Sequence, residues 1–196
     1  EGIALALNYA QVLGNRQIHV MAGILPDGAD ALAYRNTYLN NLTYAADLAE
    51  QAGCRILIEP INHADMPGYF LRYQARQLLE TKAVDVIQPD PCKAGGITET
   101  KKIADLAAAY RRAFAPHVGM SSIDSAACVH LLCAASNALI YEADGAAFNP
   151  FRDDLCSGEP KIVDGYVEPN DKPGLGFELD ESLFDKWPGI PGPCYV

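Results

Sequence analysis

Ionisable side chains recur at one kind of place in this sequence, directly after a short apolar run. Residues 55–60 (RILIEP) close on Glu59, with Asn62 and His63 following. Residues 84–89 (VDVIQP) lead into Asp90, then Lys93 and the Gly95-Gly96 pair. Residues 113–117 (AFAPH) end in His117, and residues 139–142 (LIYE) end in Glu142, with Asp144 close behind. In parallel α/β folds, reactive groups project from the C-terminal ends of strands. Strand ends also meet solvent, which is a second reason for charge there. Asp90 and His117 are the most informative pair. A carboxylate beside an imidazole fixes its tautomer and favours its protonated form, giving a group that takes and returns a proton near neutral pH. A purely structural Asp–His hydrogen bond is the alternative. Lys93 either points into the same mouth or caps the turn. Gly95-Gly96 suits an anion at a helix N-terminus or, equally, a tight strand-to-helix turn.

Other candidates are weaker. His130 sits in the apolar helical stretch AACVHLLCAA and reads as a packing residue. His19 lies mid-strand and faces either the interior or a covering helix. Tyr69, Phe70 and Tyr73 read as core or loop aromatics. The sequence holds no nucleotide-binding loop, zinc-ligand spacing or nucleophile elbow.

These residues need strands to carry them. Five short apolar runs begin at residues 17, 55, 84, 113 and 139, so successive starts are 38, 29, 29 and 26 residues apart. Between them lie helical stretches at 34–52, 72–82, 98–112 and 121–136, preceded by another at 1–13. The helix over 34–52 ends at Gly53, and Ser121 with Asp124 three residues on forms a capping-box-like start. Strand–helix alternation at this spacing is the βαβ signature, and fully apolar strands imply a parallel sheet. The expected fold is therefore α/β: a partial (β/α) barrel of the TIM type with about five strands, an open doubly wound sheet being second. A closed barrel needs eight strands, so two or three units are missing. Residues 145–196 turn rich in Pro, Gly and Asp. They read as a loop-and-hairpin appendage, with a turn at Asp164-Gly165.

Composition bounds the function. The 196 residues carry 15 Lys+Arg against 25 Asp+Glu, a formal charge of −10, with 49% hydrophobic and 20% charged residues. The acidic balance argues against nucleic acid or an anionic membrane as partner, and no apolar run reaches a membrane span of roughly 18 residues. The six cysteines form no CxxC pair. Four lie in or beside apolar segments, which reads as buried thiols and a reducing, cytoplasmic setting. No signal peptide is visible, and a start at Glu1 directly in helical sequence reads as a fragment.

Two stretches resemble known families. From about residue 72 onward, RYQARQLLETKAVDVIQPDPCKAGGITETKKIADLA, FAPHVGMSSIDSAACVHLLCAASNALIYEAD, NPFRDDL and DGYVEPNDKPGLGFELDE resemble the C-terminal barrel half of the enolase superfamily, in its mandelate-racemase and acid-sugar-dehydratase branch. That resemblance implies that Asp90 and His117 are the dyad of the sixth and seventh strands. It implies too that Glu142 is the eighth-strand carboxyl group that hydrogen-bonds the enolate oxygen. From residue 1 to about 70, NYAQVLGNRQIHVMAG and TYLNNLTYAADLAEQAGCRILIEPINHADMPGYFL resemble hydroxypyruvate isomerase, a xylose-isomerase-like barrel. That resemblance implies that Glu59 binds a divalent metal and transfers protons.

The expected layout is therefore a chimera: isomerase-like β/α units over 1–70, enolase-type units over 71–144 and the appendage over 145–196. The join falls near residues 70–73. The lead reading is a lyase or isomerase abstracting the proton α to the carboxylate of a sugar acid. An isomerase of hydroxypyruvate or a similar small hydroxy-keto acid is second, and a non-catalytic incomplete barrel third. Mg²⁺ is the implied cofactor. Both families draw further metal carboxylates from parts that this chain lacks, and Glu59 alone is too few for tight Mg²⁺ binding. Activity is thus expected to be many orders of magnitude lower than in the parents, and open sheet edges to favour self-association.

Overall fold

The computed structural model describes residues 2–58, 75–80, 82–119, 121–157 and 160–189. Its centre is a parallel sheet of four strands, β1 (Gln17–His19), β2 (Arg55–Ile58), β3 (Val86–Ile87) and β4 (Ala113–Phe114), hydrogen-bonded in sequence order. The inner strands are apolar on both faces: Ile56, Ile58, Val86 and Ile87 are fully buried. A strand that is buried on both sides needs helices above and below it, which is the condition for parallel pairing.

Those helices are α1 (Gly2–Leu13), α2 (Ala31–Gln51), α3 (Ala75–Glu80), α4 (Gly96–Ala109) and α5 (Ser122–Ala134). Helix α2 begins three residues before the expected position because Asp30 is its cap. The Asp30 carboxylate accepts from Leu32 N at 2.9 Å and Ala33 N at 3.2 Å. The helix buries Tyr38, Leu42, Ala45 and Ala49, a stripe at helical spacing, and stops where Gly53 adopts φ +65°. Two apolar clusters sit side by side on the sheet. One joins Leu42, Ile18, Ile56, Ile58 and Val84. The other joins Leu79, Ile87, Ala104, Phe114 and Leu131.

The fifth expected strand, over 139–142, is reduced to one parallel bridge between Phe114 and Ala138. Phe114 N donates to Asn137 O, and Leu139 N donates to Phe114 O, both at 2.9 Å. After that the pairing stops, and Leu139 and Ile140 stand 39% and 61% exposed. Among the described residues no further strand lies on the far side of this segment, so its apolar run has nothing to bury against. Asn137 fastens this edge: its side-chain amide donates to Ala104 O at 3.1 Å and to Arg112 O at 2.8 Å.

The C-terminal part carries α6 (Pro150–Asp153), an antiparallel pair of β5 (Cys156–Ser157) with β6 (Glu178–Leu179), and α7 (Ser182–Lys186). It docks on α5 where Leu155, Cys156 and Leu183, with Phe151 of α6, pack around Ile123. Ser122 Oγ also donates to Phe151 O at 3.2 Å. The expected hairpin turn is present as a bridge between Val163 and Tyr166. Asp164 and Gly165 between them are both at positive φ, +51° and +83°. No described helix is long and apolar enough to cross a membrane.

Candidate active site

Register places the leading pair. Val86 stands opposite Ala113, and Ile87 opposite Phe114. The ladder continues past the strands proper: Ala115 N donates to Ile87 O, and His117 N donates to Pro89 O, both at 3.2 Å. Asp90 and His117 lie three residues beyond the last paired positions of adjacent strands and so meet at the same height. His117 Nδ1 is 3.1 Å from Asp90 Oδ2.

Asp90 is fully buried and saturated with donors. Oδ1 accepts from Cys92 N at 2.8 Å, while Oδ2 faces both His117 Nδ1 and the Lys93 ammonium, the latter at 3.2 Å. Burial by itself would raise the carboxyl pKa. The His117 hydrogen bond and the Lys93 charge outweigh it, so Asp90 lies below its ordinary value and is ionised. Lys93 is thus buried against the carboxylate of the pair. Lys93 N and Ala94 N both donate to Asp90 O, at 3.0 and 2.7 Å, and this tight turn folds the side chain back onto the carboxylate. The His117 side chain keeps 26% exposure, against none for Asp90, so the imidazole is the member of the pair open to a ligand.

Asp124 belongs to the same site, although its sequence signal pointed elsewhere. As expected, Ser121 caps α5 by accepting from Asp124 N at 3.4 Å. The Asp124 carboxylate does not return to the cap. It turns inward, 1% exposed, and accepts from Gly119 N at 3.4 Å. Burial, then the charge of Asp90, push its pKa up to about 6. Gly119 is the other residue that sequence reasoning missed. A Cβ there would stand 2.8 Å from His117 Cε1 and 3.4 Å from Nε2, so only glycine lets the loop pass this close to the ring. The Cys128 thiol donates to His117 O at 3.6 Å and lies 3.8 Å from Asp124 Oδ1, and burial pushes its pKa up.

The remaining candidates separate. Glu142 is half-buried past the Ala138 bridge, and its Oε2 has no hydrogen-bond partner among the described residues. Asp144 is structural, accepting from Asn149 Nδ2 at 2.8 Å and Ala146 N at 2.9 Å and pairing with Arg152. His19 is exposed at the end of β1, and His130 is half-buried on α5. Gly95 takes φ +99° directly before α4, which serves the tight strand-to-helix turn. Glu59, Asn62, His63, Tyr69, Phe70 and Tyr73 lie outside the described residues, as does the expected join near 70–73.

One described group has the composition of a metal site. Asp90, Cys92 and Asp124 bring a ligand atom each within 4.8 Å of one another. The trio does not fit Mg²⁺, which demands near-octahedral oxygen ligands. Partial burial and the charges of Asp124 and Asp90 push the Cys92 thiol up to about 12, so it carries its proton. Both Asp90 oxygens are already engaged, one of them by an ammonium.

Comparison with known proteins agrees with the parallel α/β fold. The family model for the enolase C-terminal domain-like fold matches residues 63–183, and the chain belongs to that family. An enolase-superfamily member from Polaromonas sp. JS666 is 32% identical, with a TM-score of 0.73, over 99% of this chain and 46% of its own. A mandelate racemase/muconate lactonizing enzyme from Jannaschia sp. CCS1 is 26% identical, with a TM-score of 0.67, over 94% of this chain and 42% of its own. A 2-oxo-tetronate isomerase from Cupriavidus necator is 57% identical over 72 residues, 37% of this chain and 28% of that protein. The chain thus spans less than half the length of the solved structures that it matches, and just over a quarter of that curated relative.

Proposed function

We propose that residues 71–144 carry the proton-transfer half of an enolase-superfamily active site, acting on the hydrogen α to the carboxylate of a small anionic sugar acid. The reaction is that of a dehydratase (lyase) or a racemase-like isomerase, in the cytoplasm. The observation that carries this reading is the 3.1 Å contact between Asp90 and His117 at the C-terminal ends of neighbouring parallel strands. With Nδ1–H donated to Asp90 Oδ2, the Nε2 lone pair of His117 accepts the α-proton. Asp90 holds the tautomer and stabilises the imidazolium that forms. Glu142, with an oxygen that has no described partner, is the residue to meet the enolate oxygen as it gains charge, donating to it from a carboxyl O–H.

Members of this superfamily typically bind Mg²⁺. Among the described residues the one cluster of metal-ligating type does not fit that ion, so the steps assigned to this chain are those of its own side chains. Glu59 is the residue that the family resemblance offers as a metal ligand. The test is solvent exchange. The chain is incubated in D₂O with a panel of aldonic and aldaric acids, and loss of the C2 proton is followed by NMR. The reading requires exchange that His117→Asn removes. Exchange that survives that substitution would overturn it.

A second reading rests on the 72-residue match to the 2-oxo-tetronate isomerase. Its length is close to that of the isomerase-like segment, 1–70, which supports a chain assembled from two barrel families, while the family match reaching residue 183 supports residues 145–196 as the enolase-type appendage. Interconversion of a small hydroxy-keto acid would then centre on Glu59, and Glu59→Gln would abolish it while His117→Asn left it intact.

A further inference from the structure

We propose that Lys93 is a positioning residue whose buried ammonium, seated on the same Asp90 oxygen that faces His117, keeps the imidazole an uncharged base. The inference rests on reading Asp90 and His117 as the proton-transfer pair and adds what sets the basicity of that pair.

The geometry is unusual for a carboxylate–imidazole couple. Left alone, a buried carboxylate favours the imidazolium strongly, and a base that is already protonated cannot accept a proton. Here Asp90 Oδ2 is shared. Lys93 Nζ stands 3.2 Å from it and His117 Nδ1 3.1 Å, which leaves the two nitrogens no more than about 6 Å apart. The Lys93 side chain is 8% exposed and Asp90 not at all, so water screens the pair poorly. Protonating His117 would put a second cation on an oxygen that already holds one. Among the described residues the other ionisable groups at the site are Asp124, which accepts from Gly119 N beside the ring, the Cys128 thiol on His117 O, and the Cys92 thiol, which is pushed up to about 12 and so uncharged. None replaces the ammonium: Asp124 is buried and raised to about 6, and Cys128 is a thiol. The Asp-x-x-Lys spacing is what delivers the charge, because the turn that closes on Asp90 O brings residue 93 back over residue 90.

The experiment is an NMR titration of His117 with labelled histidine, which needs no turnover. Lys93→Met should raise the His117 pKa by roughly one unit, since a cation within about 6 Å is removed while the carboxylate stays. Lys93→Arg should restore the original value, which a merely structural side chain of altered shape would not do. In the unmodified chain, the ¹⁵N shift of the Lys93 ammonium should inflect at the pKa of His117. This second readout decides the matter if Lys93→Met does not fold. A His117 pKa that is unchanged or lower in Lys93→Met, or a Lys93 signal with no inflection there, would overturn the proposal. Asp90→Asn separates the two levels. A fall in the His117 pKa upholds the dyad even where Lys93 proves silent, whereas no change at all removes the dyad and this inference with it.

Discussion

The sheet has two halves built from the same βα unit, and they end differently. On the β3–β4 side, the residues beyond the strands are buried and charged: Asp90 and Lys93 are 0% and 6% exposed, with His117 against them. On the β1 side, the strand runs out through exposed His19 and Met21, beside a groove of about 500 Å³ lined by apolar residues such as Ile3, Ala6 and Ile18. The outer surface there carries Leu5, Tyr9, Val12 and Leu13, all more than half exposed. Identical architecture therefore does not make a site. Among the described residues, the β3–β4 end is where two neighbouring strand ends bring complementary charges to one height, with the Gly119 loop passing close over the ring.

The sharpest way to break the contrast is to remove the base. His117→Asn keeps an amide in place of the imidazole but cannot cycle a proton. Solvent exchange of a substrate α-proton should fall by roughly 10²–10⁴-fold, while a change at His19 on the other half should leave the rate unaltered. A fall of similar size from His19→Asn would erase the distinction.

Packing beneath the charged end comes next. Phe114 is fully buried in the cluster under β3 and β4. Phe114→Ala should cost about 3–5 kcal/mol in a denaturant titration, through lost transfer energy and the cavity left behind. Val12→Ala on the exposed outer face should cost less than about 0.5 kcal/mol.

Of the two halves, the charged one should carry the pH dependence of stability through its buried carboxyl groups. Asp124 rises from 3.8 to about 6 on folding, so between those values the folded state binds more protons than the unfolded chain. Stability should then fall as pH rises from about 4 to 6, by on the order of 2 kcal/mol, and stay level above. Asp90 runs the other way: its depressed pKa contributes stability that is present above its unfolded value and is lost as pH drops through the folded one. Chemical denaturation across pH 3–8 should show the Asp124 slope, and Asp124→Asn should flatten it.

The smallest effect concerns the other half. Replacing Val12 and Leu13 with Glu should barely alter unfolding free energy, since both are more than three-quarters exposed. If self-association runs through this apolar face, sedimentation should shift toward monomer. An unchanged distribution would place any association elsewhere, at the sheet edges for instance.

Much of the site was legible because strand ends can be read from apolar runs, and register then does the rest. Asp90 and His117 could be paired from spacing alone. Lys93 was left between two roles, because sequence does not show which way a turn folds its side chains. Asp124 looked like half of a capping box, and one half of that motif is indeed made. The carboxylate goes to Gly119 instead, a choice set by the loop over His117. Gly119 carried no signal, since its role depends on a ring two residues away approaching to 2.8 Å of where a side chain would start. The run at 139–142 misled in the opposite sense: its apolar character marks a strand, but among the described residues the segment bridges Phe114 only at Ala138, and an apolar run does not show what will cover it.

Asn137 gives this edge a mechanical character. One side-chain amide holds the carbonyls of Ala104 and Arg112, while its own backbone carbonyl takes the Phe114 amide. The end of α4, the entry to β4 and the chain after α5 are thus riveted at one point, and none can lift without straining the other two. Amide protons around Phe114 should accordingly exchange with solvent by a single concerted opening, with Ala115 and Leu139 released in the same event, and not by progressive fraying from an edge that otherwise has every reason to fray.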